Sequence, residues 1–136
     1  MRQYFIDTFY LVALSNQRDQ WHRCVLLFSQ SLDDYHLYTV DEVLAEYLTF
    51  CSASKPHIRA EAARKVRNVL NDPYITVFPQ NHTSFLDALA FYETRLDKHY
   101  SLTDCVAMQV MRREGLTDVL SNDHHFMQEG FYIVFA

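Results

Sequence analysis

The sequence predicts one α/β domain in which helices cover both faces of a mostly parallel sheet. Three observations lead there. Short β-branched and aromatic runs alternate with stretches whose apolar residues recur at helical spacing. Strands separated by helices join through right-handed crossovers, which produce parallel sheets buried on both sides. The 136 residues hold no repeat, low-complexity tract or linker, so residues 1–136 are expected to share one core.

The elements follow in order. Tyr4 to Asp7 is a short apolar run expected as a buried strand, and Thr8 to Ser15 continues as a helix. Asp19 has N-cap chemistry and opens a helix expected to reach about Ser31, with Trp21, Cys24, Val25 and Phe28 at helical spacing. Tyr35 to Thr39 reads as a second strand. Val40, Val43, Leu44, Tyr47 and Leu48 give an amphipathic helix over Val40 to Cys51. Pro56 fits the first turn of a helix reaching about Leu70. Tyr74 to Phe78 is a third strand. His82 to about Leu96 is expected to be helical, with Phe85, Leu86, Leu89 and Tyr92 on one face. Leu102 to Glu114 is another helix, closed by Gly115. Asp118 to Ser121 and Phe131 to Phe135 complete the strands.

Composition narrows the function classes. The apolar share of 49% marks an ordered globular chain. No apolar stretch is long enough to span a bilayer, and Met1 to Asp7 lacks a signal-peptide core, so a cytoplasmic protein without membrane contact is expected. Cys24, Cys51 and Cys105 are odd in number and widely spaced, and all are expected to be reduced, buried small hydrophobes. With only Gly115 and Gly130, the chain has no P-loop and no G-x-G-x-x-G, so any phosphate chemistry must rest on side chains and metal. The net charge of −5 argues against tight non-specific binding to duplex DNA.

Four acidic residues stand where burial is expected. Asp7 ends an apolar run, Glu46 lies inside an amphipathic helix, Asp104 opens a helix, and Asp123 follows a short hydrophobic segment. Ligands of open α/β sheets bind beyond the carboxyl ends of the strands, where Asp7 and Asp123 fall. Glu46 reaches that edge only if its helix tilts over it. Carboxylates gathered there repel one another unless a hard cation such as Mg²⁺ joins them. Metal-dependent phosphodiester cleavage is the chemistry this pattern suggests. For each residue there is a plainer use: Asp104 and Asp123 suit helix caps, and Glu42 competes with Glu46 from a position favoured by the helix dipole. Asp97 reads as a surface acid. His124 and His125 have no His-x₃-His partner, so packing is preferred to a zinc-type site. Arg59, Arg64 and Arg67, with Lys55 and Lys65, make the most basic helix, suited either to an RNA groove or to solvent.

Five segments carry a family pattern. Phe5-Ile6-Asp7-Thr8 ends a hydrophobic strand on Asp-Thr. Asp19-Gln20-Trp21-His22 has the form Asp-x-x-His. A threonine, Thr39, leads the helix that carries Glu46. Ser101 to Asp104 is Ser-x-x-Asp, and Ser121 to Phe126 is followed by Gly130-Phe131. In this order and over nearly the whole chain, they resemble the PIN-domain nucleases, and among them the VapC-type toxins of toxin–antitoxin pairs. Phe9 and Ser121 depart from the pattern: many members have a small residue at the first position and threonine at the second.

The resemblance implies a three-layer α/β/α PIN-like fold around a five-stranded, mostly parallel sheet. It implies an endoribonuclease whose catalytic and metal-binding quartet is Asp7, Glu46, Asp104 and Asp123, with Mg²⁺ or Mn²⁺ as cofactor. Asp7 and Asp104 are the expected direct ligands; Asp123 would complete the shell, and Glu46 would hold a second ion or orient the attacking water. Thr8, Ser101 and Ser121 would orient carboxylates through hydrogen bonds. The implied partners are an RNA substrate, a cognate antitoxin and a second copy of the chain. An RNA-processing PIN nuclease and an inactive PIN-like binding module are the alternatives. A phospho-acceptor receiver domain also gathers aspartates, but needs a lysine at the end of its last strand, and Phe131 to Ala136 has none.

Overall fold

Five strands, β1 (Arg2–Ile6), β2 (Tyr35–Val40), β3 (Ile75–Phe78), β4 (Asp118–Leu120) and β5 (Tyr132–Ile133), form one sheet in the computed structural model, which describes residues 1–136. The strand order is β3-β2-β1-β4-β5, and every pairing is parallel. Seven helices connect them: α1 (Thr8–Ser15), α2 (His22–Ser31), α3 (Asp41–Cys51), α4 (Pro56–Asn71), α5 (His82–Glu93), α6 (Leu102–Arg113) and α7 (His124–Gln128). This is the expected α/β architecture with five parallel strands.

The period of two along a strand divides the core. Phe5 and Val119 face one cluster, which holds Val43, Ala88, Phe91 and most of α6. Tyr4, Ile6 and Leu120 face the other, with Tyr10, Ala13, Val25 and Phe135. The sheet is therefore covered on both sides. The helix α6 buries Cys105, Val106, Ala107, Met108, Val110 and Met111, nearly its whole circumference. It ends at Gly115, whose φ of +69° places it in the left-handed region. Leu116 N–H donates to the Met111 carbonyl at 2.8 Å and Gly115 N–H to that of Arg112 at 3.3 Å, closing the last turn.

Several expectations need correction. The helix expected from Asp19 begins at His22, because Asp19 Oδ1 instead accepts the Trp21 N–H at 2.8 Å in a preceding turn. β5 is two residues long, not five: Phe131 is drawn back by its N–H bond to the Phe126 carbonyl at 3.1 Å. α5 stops at Glu93. It buries Ala88 and Phe91, while Phe85, Leu86, Leu89 and Tyr92 are 38–47% exposed. Ala88 and Phe91 form the inward side of the helix, leaving Phe85, Leu86, Leu89 and Tyr92 outward. Of the cysteines, only Cys105 is buried; Cys24 is exposed, since α2 turns only Val25 fully inward, and Cys51, the last residue of α3, is half-buried. No helix is long and apolar enough to cross a membrane.

Candidate active site

The adjacency of β1 and β4 builds the centre of the site. Ile6 pairs with Leu120, so the residues that follow each strand, Asp7 and Ser121, emerge side by side. Ser121 Oγ donates to Asp7 Oδ2 at 2.7 Å, and both side chains are buried. The same Ser121 Oγ accepts the Asp123 N–H at 3.0 Å, tying a second acid to the first. On the other side of β1, the buried Thr39 hydroxyl donates to the Ile6 carbonyl at 2.9 Å, which steadies the backbone one residue before Asp7.

Burial dominates the electrostatics of Asp7. Only 7% exposed, its carboxyl is pushed up to about 7; the Ser121 hydroxyl and Thr8 N–H oppose that rise, while Asp104 and Glu46 add to it. Asp104 lies in the first turn of α6. Its N–H donates to Ser101 Oγ at 3.0 Å, and its Oδ2 accepts the Ser101 N–H at 3.1 Å, a reciprocal capping pair. Burial also raises its carboxyl above the ordinary range, with Asp123 adding and the Ser101 N–H opposing. Asp123 caps α7 by accepting the His125 N–H at 2.9 Å. The capping uses of Asp104 and Asp123 are thus real, and they leave both side chains lining the same depression.

Glu46, half-buried on α3, accepts a hydrogen bond from the Thr8 hydroxyl. That bond joins α3 to the start of α1 and brings the helix acid to the edge where Asp7 lies. Together Asp7, Glu46, Asp104 and Asp123 line an open depression of about 550 Å³ that has no lysine or arginine in its wall. Phe9 stands in the same wall, its ring packed edge-on against Trp21 at 5.6 Å.

Not every candidate is there. Glu42 lines a separate cavity of about 420 Å³ with Asn81, His82 and Thr103. Asp97 is exposed beside Lys98. Arg59, Arg64 and Arg67 are exposed on α4, outside the depression wall. His125, read from the sequence as a packing residue, joins the acids. Its Nδ1 lies 3.5 Å from Asp104 Oδ2 and 3.5 Å from Asp123 Oδ1, shut off from solvent and without a hydrogen-bond partner. Donor atoms of Asp104, Asp123 and His125 all lie within 4.8 Å of one another, a grouping fit for a metal ion. An orphaned ring nitrogen between two carboxylates fits a cation better than it fits a dry protein contact. The one signal in the sequence was the Asp-x-His spacing at a helix start, too common to select alone.

Fold and site together define a class: a three-layer parallel α/β protein with an acidic, cation-attracting depression at the carboxyl edge of its sheet. Residues 4–130 match the PIN domain family model, and the chain belongs to the PIN-domain family. Among solved structures it is similar to VapC20 of Mycobacterium tuberculosis, described as a sarcin–ricin loop cleaving toxin, at 24% identity and a TM-score of 0.81 over 98% of each chain. It is also similar to FitAcB from Neisseria gonorrhoeae, at 13% identity and a TM-score of 0.64, over 96% of this chain and 95% of that one. VapBC2 from Rickettsia felis, in a complex with promoter DNA, gives 14% identity and a TM-score of 0.64 over 96% of both chains. At these identities the likeness is one of fold. No curated protein shows significant sequence similarity.

Proposed function

We propose that this single-domain chain is a divalent-cation-dependent endoribonuclease that acts as the toxin of a toxin–antitoxin pair in the cytoplasm. The observation that carries the reading is the convergence of Asp7, Glu46, Asp104 and Asp123 on one depression whose wall has no lysine or arginine to neutralise them. Membership of the PIN-domain family and the fold shared with an RNA-cleaving toxin support it.

A bound Mg²⁺ or Mn²⁺ would lower the pKa of water and offset charge on the phosphodiester being cut. The chain's residues prepare that position. Asp7 and Asp104 would present direct ligand oxygens, and Asp123 would complete the set. Ser121 holds Asp7 and Asp123 in register through one hydroxyl, Ser101 fixes Asp104, and Thr8 fixes Glu46, which orients the attacking water. Arg59, Arg64 and Arg67 supply phosphate contacts along the approach. The outward apolar face of α5 suits a second copy of the chain, and an antitoxin covers the depression in the resting state.

The decisive measurement is cleavage of total cellular RNA by wild type and Asp7→Asn, with Mg²⁺, Mn²⁺ or excess EDTA. Cleavage by wild type alone, abolished by chelation, is expected; full activity in EDTA or in Asp7→Asn rejects the mechanism. Growth arrest on expression separates a toxin from an RNA-processing enzyme.

A further inference from the structure

We propose that His125 supplies a nitrogen ligand to the acidic site and thereby makes it select a first-row transition ion such as Mn²⁺ over Mg²⁺. This rests on the metal-dependent reading above and specifies which ion that site takes.

The imidazole is held for such a role. Its Nδ1 lies at the same 3.5 Å from Asp104 Oδ2 and from Asp123 Oδ1. That separation is too long for a hydrogen bond to either, yet the atom has no other partner and no solvent. Buried polar atoms are seldom left so, and the exceptions call for an explanation such as an ion. The ring cannot easily turn away. Tyr100 packs edge-on against it at 5.2 Å, and the Tyr100 hydroxyl donates to Glu129 at 2.8 Å. Glu129 is gripped in turn by Arg95 and Arg112, each at 2.8 Å. The main chain adds a further restraint, since His125 N–H donates to Asp123 Oδ1. Donor atoms of all three side chains lie within 4.8 Å, so one ion can touch two oxygens and one nitrogen.

That donor set discriminates. Mg²⁺ takes oxygen ligands, holds its waters and gains little from imidazole. Imidazole suits the later divalent ions best; Mn²⁺ stands at the weak end of that series and shares carboxylate and water ligands with Mg²⁺, so its margin over Mg²⁺ rests on the single nitrogen. An all-oxygen site would leave the two ions closer in affinity.

The test is binding rather than turnover. Calorimetric titration of the full chain with Mn²⁺ and with Mg²⁺ is compared for wild type, His125→Ala and His125→Asn, the last keeping a polar side chain in the first turn of α7. Wild type is expected to bind Mn²⁺ several-fold more tightly than Mg²⁺, and both variants to lose that margin by weakening Mn²⁺ with little change for Mg²⁺. Electron spin-echo spectroscopy of the Mn²⁺-loaded chain, with and without ¹⁵N-histidine, should show nitrogen coupling in wild type and none in His125→Ala. Equal weakening of both ions, or Mn²⁺ bound without nitrogen coupling, overturns the proposal and leaves a carboxylate metal site standing. Failure of wild type to bind either ion overturns both readings.

Discussion

Asp7 is a carboxylate whose surroundings oppose its charge. Its folded value near 7 lies above the ordinary 3.8, so the neutral form is the one the fold favours. The corresponding stability is fully present below pH 3.8 and is lost as pH rises through 7, on the order of 4 kcal/mol in the metal-free chain. Chemical unfolding followed from about pH 4 to 7.5 should show that loss, and a saturating divalent cation should restore it. Asp7→Asn should flatten the profile while removing cleavage, because an amide oxygen still accepts the Ser121 hydroxyl. Glu129 behaves in the opposite sense. The hydrogen bond from Arg95, then those from Arg112 and Tyr100, hold its carboxyl down at about 2, against 4.5 ordinarily. Its contribution is present above pH 4.5 and lost as pH falls through 2. Glu129→Gln should destabilise by about 2 kcal/mol, discounted for the partly exposed arginines, and should also loosen Tyr100 and the His125 ring.

Elements were legible where one periodicity ruled. β1 and β2 combine β-branched and aromatic residues, and α3 keeps its apolar residues at i, i+3, i+4 and i+7, so both types could be read directly. Boundaries depended on caps, which are local competitions: Asp19 satisfied a turn instead of a helix, while Asn81 and Ser84 formed an unforeseen capping box at the start of α5. The orientation of α5 was not legible at all, because an apolar face does not say whether it meets the core or a partner. Introducing a charge there by Leu89→Glu should leave the fold intact and shift a dimer toward monomer in light scattering. On α4, charge reversal of Arg64 and Arg67 should lower RNA affinity and flatten its salt dependence if that helix lies along the substrate. The acids of the quartet could be picked out because carboxylates in apolar runs are unusual. His125 could not, because its meaning lies in its distance from Asp104, which no local pattern contains.

For the whole molecule, parallel topology places the strand ends on one edge and thus makes a site from residues far apart in sequence. The bond from Ser121 to Asp7 spans 114 positions. Loops of that length close slowly and late in folding. A chain being translated therefore carries Asp7 and Glu46 for most of its synthesis before Ser121, which aligns Asp7 with Asp123, has been made. A premature stop anywhere before Ser121 should yield an inert product, one measurable as expression without growth arrest. The order in which the residues arrive thus keeps the acidic site unassembled until the last stretch of the chain has been made.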